Sequence, residues 1–268
     1  MRTLGAFLFA FVSTFPSVVF AQKQHAPLPP AQGAPESYLI RDGGVSETLQ
    51  SIFIPPKAQA PFELTLQTEW VKTLSDGGTI TLVNQRRIAR DGKGRIYQER
   101  WSLVPRAGKM VSAMTVIQIT DPATHILYNC FQDERRQCQK ISYSGSTSTQ
   151  YKEADPQTGN LPGGTGSVVH DELGQQSMEG LQTVGTRSRT IISPGVFGND
   201  REMTIERESW YSEQLGINLL SIRIDPRFGK QTFTATNVIL AEPDLKLFEL
   251  PKGFKVAAPR ENPPPDSY

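Results

Sequence analysis

Phe62-Glu-Leu-Thr-Leu-Gln-Thr-Glu-Trp70 leads through Asp76-Gly77-Gly78 into Thr79-Ile-Thr-Leu-Val-Asn-Gln-Arg-Arg-Ile-Ala-Arg90. The chain then passes through Asp91-Gly-Lys-Gly94 into Arg95-Ile-Tyr-Gln-Glu-Arg-Trp-Ser-Leu-Val104. In the first run Phe62, Leu64, Leu66 and Trp70 alternate with Glu63, Thr65, Gln67 and Glu69. That period of two is the mark of a strand with one buried face. Asp-Gly between β-rich runs is a short-range hairpin signal, because glycine supplies the positive φ that tight hairpin turns need. In the third run Tyr97, Trp101 and Leu103 share a face. Three strands in antiparallel succession are therefore expected.

Downstream the meander continues. Ala113 to Thr120 is apolar on both faces, as expected of a central strand. Asp121-Pro122 leads to Thr124–Cys130 and, after the polar turn Gln132–Gln137, to Cys138–Tyr143. Ser144 to about Ser167 is rich in Gly, Ser and Thr and reads as a mobile loop. Strand candidates resume at Met178–Ile192, broken near Gly180, then Met203–Tyr211, Ile217–Ile224 and Gln231–Leu240. Their turns carry Gly198-Asn199-Asp200, Gln214-Leu215-Gly216 and Asp225-Pro226-Arg227-Phe228-Gly229. Pro243–Phe248 fits a helical turn, and the tail 257–268 reads as disordered. Serial strands with few short helices predict a mainly β fold, an antiparallel meander forming a curved sheet or half-barrel.

Upstream, Val45–Phe53 fits either a short helical face or a strand. Residues 22–44 are rich in Pro, Ala, Gln and Gly and read as a disordered leader. Arg2, the apolar run Leu4–Val12 and Val19-Phe20-Ala21 form a signal-peptide pattern over 1–21, cut after Ala21. The apolar run is too short to span a bilayer. The expectation is an exported protein, periplasmic or extracellular, with no transmembrane segment in the mature chain and a single β domain over 45–256.

The chain has 28 Lys and Arg against 27 Asp and Glu, so loss of Arg2 with the leader makes the mature product formally neutral. No global charge draws it to nucleic acid or to an anionic membrane. Cys130 and Cys138 are the two cysteines of the chain. In an oxidising compartment on a hairpin they are expected to form a disulfide contributing about 2–3 kcal/mol. The rival readings are a metal pair or a redox couple. The spacing is not Cys-x-x-Cys and no histidine lies beside the pair, which favours the structural bond.

Three histidines are present. His170, with Ser167 before it and Asp171 and Glu172 after it, brings a hydroxyl, an imidazole and carboxylates together in sequence. Members of a triad come from separate elements, and no Gly-x-Ser-x-Gly elbow exists, so a hydrolase using His170 stands only as the remote alternative. Gly163-Gly164-Thr165-Gly166 lacks the Lys-Ser/Thr of a phosphate loop. No cluster has metal-ligand spacing, and neither metal nor cofactor is expected. Arg86, Arg87, Arg90, Lys93 and Arg95 make one hairpin basic. They form either a docking patch for an acidic partner or anionic lipid, or a solvated sheet edge that discourages edge pairing; the second reading is preferred. Trp70, Tyr97, Trp101, Trp210 and Tyr211 either line a ligand cavity or pack in the core. The sequence specifies no oligomeric state.

Several stretches resemble a group of secreted, acidobacterial-type proteins of uncharacterised function. They are Ile54-Pro-Pro-Lys-Ala-Gln-Ala-Pro-Phe62, Val83 to Arg100, Gly195-Val-Phe-Gly-Asn-Asp200, Asp225-Pro-Arg-Phe-Gly229, and Glu242-Pro-Asp244 through Leu250-Pro-Lys-Gly-Phe254. The serial strands and the closing Phe248-Glu-Leu-Pro-Lys-Gly-Phe254 are similar to the LolA/LolB/RseB-like periplasmic proteins. That resemblance implies a curved half-barrel holding a lipid or a lipoprotein acyl group, without catalysis. The long helices that plug the concave face in that group have no counterpart in this sequence. A protein-protein interaction module of the cell envelope is the other reading.

Overall fold

The computed structural model describes residues 47–48, 52–106, 109–143 and 157–257, all within one compact unit spanning Pro35–Tyr268. The expected signal peptide, nearly all of the leader, residues 144–156 of the expected loop and the tail beyond 257 lie outside the described residues. The described residues form fourteen strands of a single sheet. In chain order these are β1 (Glu47–Thr48), β2 (Phe62–Thr73), β3 (Thr79–Arg90), β4 (Ile96–Arg106), β5 (Lys109–Asp121), β6 (Ile126–Phe131) and β7 (Gln137–Ser142). They continue as β8 (Gly159–Asn160), β9 (Gly166–Met178), β10 (Leu181–Ile192), β11 (Met203–Ser212), β12 (Ile217–Asp225), β13 (Gly229–Ile239) and β14 (Lys255–Val256).

The spatial order is β14-β7-β6-β5-β4-β3-β2-β13-β12-β11-β10-β9-β8, with β1 beside β4. Two meanders, β2 to β7 and β8 to β13, thus meet where β2 pairs antiparallel with β13. Gly229 permits that seam. Its φ is +87°, and a Cβ there would lie 2.2 Å from the carbonyl oxygen of Val71. The two ends of the order are different strands that do not pair, so the sheet is a curved, unclosed half-barrel.

Two expectations are corrected and two are made specific. The stretch expected as loop ends well before Ser167: Gly159–Asn160 and Gly166 onward are strand, with a 3-10 turn at Pro162–Gly164 between them. β9 has almost no apolar alternation; its pairing with β10 holds it extended. Within the ambiguous segment Val45–Phe53, Glu47–Thr48 is a strand paired with Leu103 and Ser102. The basic hairpin is not a sheet edge, because β3 and β4 are interior strands. The helical turn expected in Pro243–Phe248 is a 3-10 turn at Leu245–Phe248, capped by the Asp244 carboxylate.

Strand alternation gives the sheet two faces, and a core forms on each: one shared by both meanders, the other built on the first meander. Phe62, Leu64 and Leu66 of β2 join Ile88, Ile96, Leu181, Leu215, Ile217, Leu219 and Phe233 in the larger core, which Ile52 and Ile54 help cover. On the opposite face Ala89, Tyr97, Ile117, Ile119 and the cystine pack under Phe248, with Leu247 and Phe254 partly buried beside them. The polypeptide after β13 therefore crosses back over the first meander. It is pinned there by the carboxylate of Glu242, which accepts from the Gly92 amide at 3.0 Å, and by the parallel pairing of β14 with β7.

Candidate functional site

β3 and β4 pair over only three residues, Ile88–Arg90 against Ile96–Gln98. Beyond that point the strands splay, and side chains fill the gap. On the second face the Glu99 carboxylate accepts from the Arg87 amide at 3.2 Å, the Trp101 indole at 3.1 Å and the Tyr97 hydroxyl at 3.3 Å. Glu63 holds the Arg87 guanidinium by two bonds of 2.6 and 2.7 Å. A carboxylate here substitutes for a missing stretch of ladder, consuming donors that would otherwise be orphaned.

On the first face a polar row, buried at Thr68, Asn84 and Arg86, lies across the strands at the same splay. Arg86, buried, donates to the Thr68 hydroxyl at 3.2 Å, and the Ser112 hydroxyl donates to Asn84 at 3.1 Å. Arg100 donates to the Gln118 amide oxygen, and the Gln118 amide in turn donates to Asn129 at 2.9 Å. The row runs from β2 to β6. Burial lowers Arg86 to about 9, helped by the nearby positive charge of Arg100, and burial alone lowers Arg100 to about 10. Among the described residues Arg100 has a neutral amide and no carboxylate as its side-chain partner.

Arg90, the other buried cation of this hairpin, has a different job. It donates to the carbonyls of Ala60 at 3.0 and 2.8 Å, Pro55 at 2.9 Å and Leu215 at 2.6 Å, and lies 4.8 Å from the Phe62 ring centroid. It ties the segment before β2 and the β11–β12 turn to the sheet. Thus Arg86 and Arg90 are interior, Arg87 and Arg95 are ion-paired to Glu63 and Asp91, and only Lys93 of the five is exposed. Neither a solvated edge nor a continuous basic docking patch describes this hairpin.

The five aromatic residues are not gathered round one cavity. Tyr97 and Trp101 meet at Glu99 on the second face, with Tyr97 in the smaller core. Trp70, on the first face of β2, donates to the Phe228 carbonyl at 2.7 Å, and the Lys72 ammonium lies 3.8 Å from its ring centroid. Trp210 donates to Glu208 at 2.8 Å and covers Gly185, where a Cβ would come within 2.6 Å of the indole. A shallow depression of about 340 Å³ lies elsewhere, lined by Gln176, Met178, Glu179, Thr234 and Thr236.

The His170 constellation is not assembled. Ser167 and His170 point to opposite faces of β9, three residues apart on an alternating strand. Asp171 pairs with Arg189 at 2.7 Å. Cys130 and Cys138 are directly opposed in the β6–β7 ladder and bonded, with Cα atoms 3.9 Å apart. No group of three metal-ligating side chains occurs among the described residues, and no described helix is long and apolar enough to cross a membrane.

Gln118, Asn129 and Thr68 were not singled out in the sequence. A signal was available: Arg86, Ile88 and Arg90 share the parity of β3 that faces Leu66, Leu64 and Phe62 across the ladder. Cations at that parity must lie on the buried face.

No protein-family model and no curated protein matches this chain. Among solved structures it is similar to MucB, at 12% identity and a TM-score of 0.34 over 72% of this chain and 58% of that one. PNGF-II matches at 15% identity and a TM-score of 0.36 over 74% of this chain and 31% of that one. LprF from Mycobacterium bovis matches at 9% identity and a TM-score of 0.28 over 69% and 89%. The chain thus spans less than two thirds of the MucB and PNGF-II chains it matches.

Proposed function

We propose that this is an exported, non-catalytic binding protein of the cell envelope. It takes an amphiphile, a lipid or a lipoprotein acyl group, with the anionic end of the ligand on the Arg86–Arg100 row. The observation that carries this reading is Arg100, a partly buried guanidinium whose described partner is a neutral amide. Holding a charge out of water without a counter-charge is costly, and an incoming carboxylate or phosphate offsets that cost with charge-assisted hydrogen bonds. Gln118 and Asn129 continue the row as neutral hydrogen-bonding groups suited to a polar headgroup. The scattering of the aromatics moves the expected site away from them and onto the first face at the β3–β4 splay.

The test is mass spectrometry of lipids extracted from protein purified from its native compartment, paired with uptake of a fluorescent fatty acid. Wild type should carry an anionic amphiphile, and Arg100→Gln should bind the probe about tenfold or more weakly. Lipid-free wild-type protein that takes up no probe rejects the reading.

A further inference from the structure

Two motifs picked out in the sequence, Gly195-Val-Phe-Gly-Asn-Asp200 and Asp225-Pro-Arg-Phe-Gly229, are far apart in the chain but come together at one end of the sheet. The β10–β11 connection and the β12–β13 turn emerge side by side there. The Arg227 guanidinium sits 4.8 Å from the Phe197 ring centroid and 5.1 Å from that of Phe228. Both rings are more than half exposed, at 57% and 51%. Val196 is exposed beside them.

This exposure is rigidly built. Asn199 accepts from the Phe197 amide at 3.0 Å and donates to the carbonyls of Ser193 and Arg201 at 2.9 and 2.7 Å. Asp225, 1% exposed, accepts from the Arg227 amide and guanidinium at 3.0, 2.9 and 2.8 Å. A protein that locks two aromatic rings into water holds them for a partner. The charge pattern indicates which. The Asp225 carboxylate is buried while its two arginines, Arg223 and Arg227, are about a third exposed, and Lys72 stacks on Trp70 beside the same turn. The nearby exposed Asp200 lies against its own cation, Arg201. Lys72, Arg201, Arg223 and Arg227 thus stand on the ridge against two exposed acids, Asp200 and Glu202, and the buried Asp225, which leaves a small positive excess. Aromatic rings flanked by such cations match the headgroup level of a bilayer, where rings enter the interface and guanidinium groups meet phosphates.

We infer that this ridge docks the protein on the surface of an anionic phospholipid bilayer, with Phe197 and Phe228 inserting and Arg227 and Arg223 meeting lipid phosphate. It rests on the lipid reading above only in supplying the source of the ligand. The experiment is co-sedimentation of full-length mature protein with vesicles of phosphatidylcholine and phosphatidylglycerol. Wild type should sediment, less so in high salt. Phe197→Ser/Phe228→Ser, with an unchanged thermal transition, should bind about tenfold or more weakly. Phe197→Trp/Phe228→Trp should retain binding and show a blue-shifted emission on adding vesicles. Wild type that stays in the supernatant, a Ser variant that sediments like wild type, or Trp emission that does not shift each overturns the inference, and capture of a protein partner by the ridge without vesicle binding does so too. Wild type that takes up fatty acid but does not sediment with vesicles rejects the ridge alone, and wild type that sediments but takes up no fatty acid rejects the headgroup row alone.

Discussion

Arg90 donates to the carbonyls of Ala60, Pro55 and Leu215 from a position with no solvent exposure. Arg90→Met keeps the volume but leaves three carbonyls without their donor, and unmade bonds to buried groups cost more than made ones contribute. We expect a loss of about 3 kcal/mol in urea unfolding; a change within about 0.5 kcal/mol would show that the clamp is dispensable. Asp225 gives a pH handle. Its carboxyl is held below the ordinary 3.8, first by the Arg227 side-chain bonds, against the opposing effect of burial. A depressed carboxylate stabilises the fold above its unfolded pKa and loses that contribution as pH falls through its folded value. Asp225→Asn should therefore lower stability near neutrality and flatten the loss of stability in acid, measured by denaturant titration at both pH values. An unchanged acid limb contradicts the assignment. The pairing of Arg227 with Asp225, two residues apart in a turn, was within reach of sequence reading. The role of Arg90 was not, because its acceptors lie 30, 35 and 125 residues away.

At the scale of elements, period two located β2, β3 and β4, because a half-buried strand must alternate. It missed β9, Gly166-Ser-Val-Val-His-Asp-Glu-Leu-Gly-Gln-Gln-Ser-Met178, which is polar on both sides and extended because β10 pairs along its length. Edge-side strands that bury little carry little pattern. The β6–β7 hairpin was legible down to its cystine, since both cysteines fall on ladder positions that face each other. Its loop of eight residues should contribute about 2.5 kcal/mol on the chain-entropy model. Cys130→Ser/Cys138→Ser is expected to unfold at lower denaturant by that amount, with an unchanged m-value. If reduction of wild type leaves the midpoint where it was, the bond contributes nothing to stability.

For the whole molecule, the decisive arrangement is that the first meander buries both of its faces, one against the core it shares with the second meander and the other under the segment after β13. The smaller core is roofed by Phe248, 7% exposed and stacked with the Arg95 guanidinium at 4.9 Å. Phe248→Ala should cost about 3–5 kcal/mol, read by calorimetry or denaturant; a cost below about 1 kcal/mol would mean that this roof is incidental. The closing Phe248-Glu-Leu-Pro-Lys-Gly-Phe254 segment was noticed in the sequence for its likeness to other proteins. Its place over Ala89, Tyr97 and the cystine required the folded chain.

Local chemistry was enough to specify a β meander, its turns and its cystine, since alternation, Asp-Gly pairs and cysteine spacing act over a few residues. Which faces are buried, where β3 parts from β4, and what becomes of each arginine depend on contacts between different strands, from 12 to 125 positions apart. Hydrophobic burial is non-directional, so a strand's pattern shows that one face is covered without showing what covers it. That is why one basic run holds a structural clamp at Arg90, an ion pair at Arg87 and a partly buried cation on a neutral amide at Arg100, three fates that look alike along the chain.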